Sequence, residues 1–136
     1  MAIERIFPSP NPGTAPYWKA ARQHQLSLPK CQACGKFHSY PRSQCPFCSS
    51  DKLEWTNCSG AGTIFSYTEV FRAPSKAFAA DLPYIVASVE LKEGPHLMTR
   101  LVTNDNASVR IGQPVTVAFD DMDEETSLPV FKASQT

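Results

Sequence analysis

The chain has 136 residues, 42% of them hydrophobic, with 13 basic and 13 acidic side chains. That is enough for one compact unit or two very small ones, burying roughly two-thirds of the unfolded surface, and it leaves little room for a deep private cleft. No apolar run approaches the roughly 18 residues of a membrane span. The start, Met1-Ala-Ile-Glu-Arg-Ile-Phe-Pro, has no continuous apolar core and does not read as a secretory signal. A soluble, cytoplasmic protein with reduced thiols and no membrane contact is therefore expected.

In chain order, residues 7–16 hold four prolines and predict an extended, polyproline-like arm. Thr14 is placed as a helix N-cap with Pro16 in the first turn, so a short helix is expected over Tyr17–Gln25. Tyr17, Trp18 and Ala21 share one face of it. About ten residues do not stay helical alone in water, so that face must dock, most simply on its own chain. Residues 1–27 are thus read as arm and docking helix.

Residues 28–56 contain two Cys-x-x-Cys knuckles broken by Gly35, Pro41 and Pro46, which favour turns and short hairpins. From residue 57 the texture becomes strand-like, with runs over Thr63–Phe71, Tyr84–Leu91, Leu97–Val102, Val115–Phe119 and Val130–Lys132. Gly60 and Gly62 sit at the first run, where a strongly bent strand uses missing side chains. The fold class expected is mainly β: an N-terminal helix, a rubredoxin-like zinc ribbon, then a five-stranded OB-fold barrel over 57–136. The segments Ala73–Pro83 and Thr103–Pro114 are long enough for an ordered loop or a single helical turn.

Cys31, Cys34, Cys45 and Cys48 form two matched pairs with ten residues between them, the spacing of a structural zinc ribbon with one Zn2+ per chain. Gly35 suits the left-handed turn of such a knuckle. A redox dithiol and an iron–sulfur centre are the rival uses of the same ligands. A closed four-sulfur zinc site leaves no position for water, so no catalysis is expected there. Cys58 lies outside the pattern and is read as a small buried thiol. His24, His38 and His96 are isolated in sequence, and no catalytic constellation, phosphate loop or metalloprotease motif is legible, so no catalytic residue is assigned. The acidic stretch Asp120–Glu125 lacks regular calcium-ligand positions and reads as a solvated hairpin.

Lys36, Phe37, Tyr40, Arg42 and Phe47 give the ribbon a mixed basic and aromatic surface, suited to a partner protein or a nucleotide, or simply to packing in the ribbon's own small core. Residues 1–58 carry 7 basic against 3 acidic side chains, and residues 59–136 carry 6 against 10. Four zinc-bound thiolates would add −2 to the first part. Neither part has the charge of a phosphate-backbone binder, so a nucleic-acid-binding module remains the runner-up and no nucleic acid is expected.

The ordered series Tyr17-Trp18, Leu26, Cys31-x-x-Cys34-Gly35, Tyr40-Pro41-Arg42, Cys45-Pro46-x-Cys48 and Leu53-Glu54-Trp55 resembles the acyl-CoA-associated zinc-ribbon and OB-fold family, long labelled domain of unknown function 35. The resemblance continues through Gly60-x-Gly62-Thr63-Ile64, Pro83-Tyr84, Val89-Glu90-Leu91, Gly94, Ile111-Gly112-x-Pro114-Val115 and Pro129-Val130-Phe131. That family often has a glycine before the leucine of its first ribbon strand, where this chain has His24-Gln25. The end of the helix is thereby left open. The resemblance implies an accessory subunit of thiolase-like enzymes (thiolases, acyltransferases or retro-aldol lyases, sometimes hydratases) in a hetero-oligomer, with the partner supplying catalysis. It implies a role in shaping or supporting an acyl-CoA site, with acyl-CoA possible as a contact in the complex.

Overall fold

The computed structural model describes residues 7–133; the start read against a signal peptide, residues 1–6, and the last residues of the expected barrel, 134–136, lie outside the described residues. A helix α1 (Ala15–Arg22) is followed by a two-stranded antiparallel ribbon, β1 (Ser27–Cys31) and β2 (Leu53–Asn57). Five further strands follow: β3 (Ala61–Val70), β4 (Tyr84–Leu91), β5 (His96–Val102), β6 (Pro114–Asp121) and β7 (Ser127–Ala133). They close into a barrel in the order β3-β4-β5-β7-β6, so the expected mainly β fold with a five-stranded OB barrel is what the chain forms.

The arm is not uniformly extended. Asn11 and Thr14 close a turn in which the Thr14 N–H donates to the Asn11 carbonyl at 3.0 Å and the Asn11 N–H donates to the Thr14 hydroxyl at 3.0 Å. Thr14 therefore precedes α1 as expected, but its hydroxyl serves the preceding turn and not the first helical N–H groups. The helix also ends three residues earlier than its sequence suggested. His24 takes a left-handed conformation (φ 58°), and the Gln25 N–H returns to the Ala20 carbonyl at 2.9 Å, a glycine-type helix stop made by a histidine. Ala21 is fully buried and Tyr17 packs against the main core, so the helix docks on its own chain, on β1 and β7.

Alternation sets the barrel interior. In β4, Ile85, Ala87, Val89 and Leu91 are buried while Tyr84, Val86, Ser88 and Glu90 are less so, the period of two that places one set of side chains inside. These residues join Leu26 and Leu28 from the ribbon side, Ile64, Leu101, Val109, Val115 and Phe131 in one buried cluster. The ribbon's first strand thus shares its core with the barrel.

β3 pairs with β4 along most of its length and with β6 through Ala61–Thr63, bending at an irregularity between Ile64 and Ser66. At the crossing, a Cβ on Gly62 would lie 2.7 Å from the Glu90 carbonyl oxygen, and one on Gly60 (φ 83°) would lie 2.3 Å from a Val117 methyl. Only glycine lets the strands approach this closely. A parallel β5·β7 contact, Leu101 opposite Phe131 and Val102 opposite Lys132, closes the barrel. The two long connections each contain one short 3-10 turn, Lys76–Asp81 and Asn106–Ser108.

β6 and β7 run longer than their apolar cores predicted, because the hydrogen-bond register continues to Asp121 opposite Ser127. The acidic stretch is indeed a hairpin, closed by Met122 N–H to the Thr126 carbonyl at 2.9 Å and by the Asp123 carboxylate accepting from the Glu125 and Thr126 N–H groups.

Candidate metal centre and the adjoining cleft

The two Cys-x-x-Cys turns are built alike. In the first, the Cys31 N–H donates to the Lys36 carbonyl (2.9 Å) and the Gly35 N–H to the Cys31 carbonyl (2.8 Å). In the second, the Cys45 N–H donates to the Ser50 carbonyl (2.7 Å) and the Ser49 N–H to the Cys45 carbonyl (2.9 Å). The residue four positions after each leading cysteine is left-handed, Gly35 at φ 79° and Ser49 at φ 67°. Sequence marked only the first, since serine carries no such signal. One backbone N–H then points at each leading sulfur, Cys34 N–H to Cys31 Sγ and Phe47 N–H to Cys45 Sγ, both at 3.4 Å.

Cys31, Cys34, Cys45 and Cys48 converge, all four sulfurs lying within 4.8 Å of one another. Cys31 Sγ is 3.5 Å from Cys48 Sγ, and Cys34 Sγ is 3.7 Å from Cys45 Sγ. A regular tetrahedron with Zn–S bonds of about 2.3 Å has S···S edges of about 3.8 Å. The donor set and its spacing fit zinc. The Cys34 N–H holds the Cys31 thiol well below its ordinary value, at about 6, as expected where a backbone donor favours the thiolate. Although the Ser50 N–H favours the Cys48 thiolate, sharing the site with Cys31 and the other thiols pushes Cys48 up to about 12. Cys31 and Cys45 are buried and Cys34 and Cys48 exposed, so the centre sits at the outer edge of the ribbon.

Cys58 stands apart from this cluster and packs against the barrel core; burial, with the Glu93 charge adding to it, pushes its thiol up to about 12. Of the histidines, His24 reaches the barrel, His96 lies 4.5 Å from the Phe65 ring, and His38 is buried.

The five basic and aromatic ribbon residues are brought together. Lys36, Phe37, Tyr40, Arg42 and Phe47 all border one cleft between the ribbon and the β4–β5 hairpin, which contributes Glu93, Pro95 and His96. The Lys36 ammonium sits 4.9 Å from the Phe47 ring centroid. Tyr40 and Phe47 are exposed, whereas Phe37 packs against the core, so Phe37 also has a structural task. The Ser39 hydroxyl donates to the His96 carbonyl and pins the ribbon to the hairpin. Sequence did not single out His38 as a site residue, or Glu93 at all, because neither stands in a motif; only the fold places them at this cleft. No helix among the described residues is long and apolar enough to cross a membrane.

Comparison with known proteins gives the same two parts. Residues 18–54 match the ChsH2 rubredoxin-like zinc ribbon domain and residues 55–120 the ChsH2 C-terminal OB-fold domain. A probable enoyl-CoA hydratase alpha subunit of Thermomonospora curvata is 36% identical over 94% of this chain, and the chain spans only 40% of that relative's length. A DUF35 domain-containing scaffold protein of Methanothermobacter thermautotrophicus is 37% identical over 76% of this chain and 78% of its own. Among solved structures, an Ltp2-ChsH2(DUF35) aldolase chain superimposes with a TM-score of 0.83 at 36% identity, covering 93% of this chain and 98% of that one. With its zinc ribbon, its OB barrel and relatives of this coverage, the chain belongs to the ChsH2/DUF35 family.

Proposed function

We propose that the chain is a non-catalytic accessory subunit of a thiolase-superfamily complex acting on acyl-CoA thioesters, in carbon–carbon bond formation or cleavage or in acyl transfer. The observation that carries this reading is the near-complete match, in both lengths, to a chain of the Ltp2-ChsH2(DUF35) aldolase. The scaffold-protein relative supports the accessory role, and the hydratase-subunit relative supports acyl-CoA chemistry. Cys31, Cys34, Cys45 and Cys48 hold one structural Zn2+, which crosslinks the two knuckles and contributes on the order of 10 kcal/mol to forming them. The chain's own residues then present a rigid ribbon surface, Lys36, Tyr40, Arg42 and Phe47, beside the barrel, where a partner enzyme's acyl-CoA entrance is supported.

The test is affinity purification from the source cell under native conditions, followed by assay of what co-purifies. The expected result is a near-stoichiometric enzyme of the thiolase superfamily whose turnover of an acyl-CoA thioester is lost when this chain is stripped away. Recovery of nuclease-sensitive nucleic acid with no acyl-CoA enzyme would overturn the reading in favour of a nucleic-acid-binding module.

A further inference from the structure

The four-cysteine centre is lopsided. In each knuckle the leading cysteine, Cys31 or Cys45, is buried and its sulfur accepts a backbone N–H, whereas the trailing cysteine, Cys34 or Cys48, is exposed. Each exposed sulfur also lies against the buried sulfur of the opposite knuckle, Cys48 beside Cys31 at 3.5 Å and Cys34 beside Cys45 at 3.7 Å. Thiolates are oxidised where an oxidant can reach them, and the sulfenic acid that results condenses with a neighbouring thiol. Both requirements are met twice over: a point of attack on the outside, and a resolving sulfur beneath it.

The surface that would respond lies in the same turns. Lys36 follows the first knuckle and Phe47 sits inside the second, so their 4.9 Å contact spans the two. That spacing is set by four sulfurs sharing one ion. The barrel is built independently of it. β1 and β2 form a two-stranded sheet of their own, Cys31 ends β1, and Leu26 and Leu28, on the far side of that strand's start and middle, are anchored in the barrel core.

We propose that the four-cysteine centre is a peroxide-sensitive switch. Oxidation begins at Cys34 and Cys48, closes the cross-knuckle disulfides Cys34–Cys45 and Cys31–Cys48, releases the zinc, and remodels the Lys36 and Phe47 surface while the barrel stays folded. The inference rests on the zinc reading above. In each half, the exposed sulfur takes up one oxygen as the peroxide O–O bond breaks and the other oxygen leaves as water. The buried sulfur of the opposite knuckle then attacks the oxidised sulfur, and the S–O oxygen leaves as a second water. Two hydrogen peroxide molecules and four protons thus convert four thiolates into two disulfides and four waters, with four electrons passing from sulfur to oxygen. Thiolates are the metal ligands, so their loss sets Zn2+ free.

The test uses the full chain purified in reductant, freed of it, and assayed first for zinc. One zinc per chain is expected; a zinc-free chain overturns the zinc reading and this inference with it. Hydrogen peroxide is then titrated in, with a zinc-sensitive dye, tryptic mass mapping and amide hydrogen exchange as readouts. Cleavage after Lys30, Lys36, Arg42 and Lys52 puts Cys31 and Cys34 on one peptide and Cys45 and Cys48 on another. Cross-knuckle oxidation therefore joins the two peptides, whereas oxidation within each knuckle leaves them separate. The expected result is release of the bound zinc together with the joined pair, fragmentation of which assigns Cys34 to Cys45 and Cys31 to Cys48. Exchange across residues 36–50 should quicken at least tenfold with β4 protection unchanged, and reductant with added zinc should reverse every change. Zinc held under peroxide that fully oxidises free glutathione overturns the switch and leaves the zinc reading intact. Separate peptides, or the joined pair with the other assignment, overturn the cross-knuckle route. Irreversible sulfinic products, or loss of β4 protection, overturn the reversible switch.

Discussion

His24 Nε2 lies 2.8 Å from Asp121 Oδ1, joining residues 97 positions apart. The imidazole ring also stacks on Phe119, with centroids 5.1 Å apart and planes within 5°. The same Asp121 oxygen accepts the Ser127 hydroxyl. The end of α1 is thereby tied to the turn end of the β6–β7 hairpin, and His24 pays for this with a left-handed backbone that ordinarily favours glycine.

This dual role separates two substitutions. His24→Gly relieves the backbone and loses the ring, whereas His24→Ala loses the ring and keeps the strain, so the alanine variant should be less stable than the glycine variant by about 1 kcal/mol. Chemical denaturation of both, followed by the far-ultraviolet signal, checks the order. Equal stabilities would show that the left-handed turn carries no cost here.

The Asp121 carboxyl is held below its usual range, first by the Ser127 hydroxyl and then by His24. A carboxylate whose folded value is depressed stabilises the fold above its unfolded value, near pH 4, and that contribution disappears as pH falls through the folded value. The wild type should therefore lose stability in acid more steeply than Asp121→Asn. Urea midpoints measured between pH 6 and pH 3 decide it, and parallel curves would remove Asp121 from the acid transition.

Ser49 occupies in the second knuckle the left-handed position that Gly35 occupies in the first. Ser49→Gly should stabilise the ribbon by about 1 kcal/mol, and Gly35→Ala, which meets nothing within 4 Å, should destabilise it by about 1–2 kcal/mol through backbone strain alone. Competition against a zinc chelator reads both, as slower and faster metal loss respectively.

Gly62 faces backbone, not a flexible side chain. Gly62→Ala places a methyl 2.7 Å from the Glu90 carbonyl oxygen and 2.8 Å from a Val89 methyl, so β3 and β4 must part. The expected cost is about 2–3 kcal/mol, visible as a lower urea midpoint at unchanged slope.

Cys58, with its thiol pushed up to about 12, should be protonated throughout the physiological range and slow to alkylate. Iodoacetamide at pH 8 is expected to label Cys58 of the native zinc-loaded protein on the order of 10³-fold more slowly than an unperturbed cysteine. Mass-spectrometric mapping of the labelled positions measures this; rapid labelling of Cys58 would make it a reactive thiol after all.

Much of the architecture was legible because it rests on local, repeated signals. The four cysteines announce themselves by spacing, and β4 by its period of two, with Ile85, Ala87, Val89 and Leu91 buried between less buried neighbours, since a strand must turn every second side chain inward. Gly60 and Gly62 marked the bent strand for the same kind of reason. The limits of β6 and β7 were not legible: Asp120 and Asp121 look like turn residues, and only the ladder to Leu128 and Ser127 makes them strand.

What the sequence by itself determined is the four-cysteine donor set and the order of ribbon and barrel, because ligand spacing and hydrophobic period depend on near neighbours along the chain. What only the tertiary structure decided is everything that joins distant segments: His24 on Asp121, the core that Leu26 and Leu28 share with the barrel, and the meeting of His38 and Glu93 with the basic and aromatic ribbon residues in one cleft. Those contacts depend on how barrel closure brings the β6–β7 hairpin to the end of α1 and the β4–β5 hairpin to the ribbon, juxtapositions that no local pattern encodes.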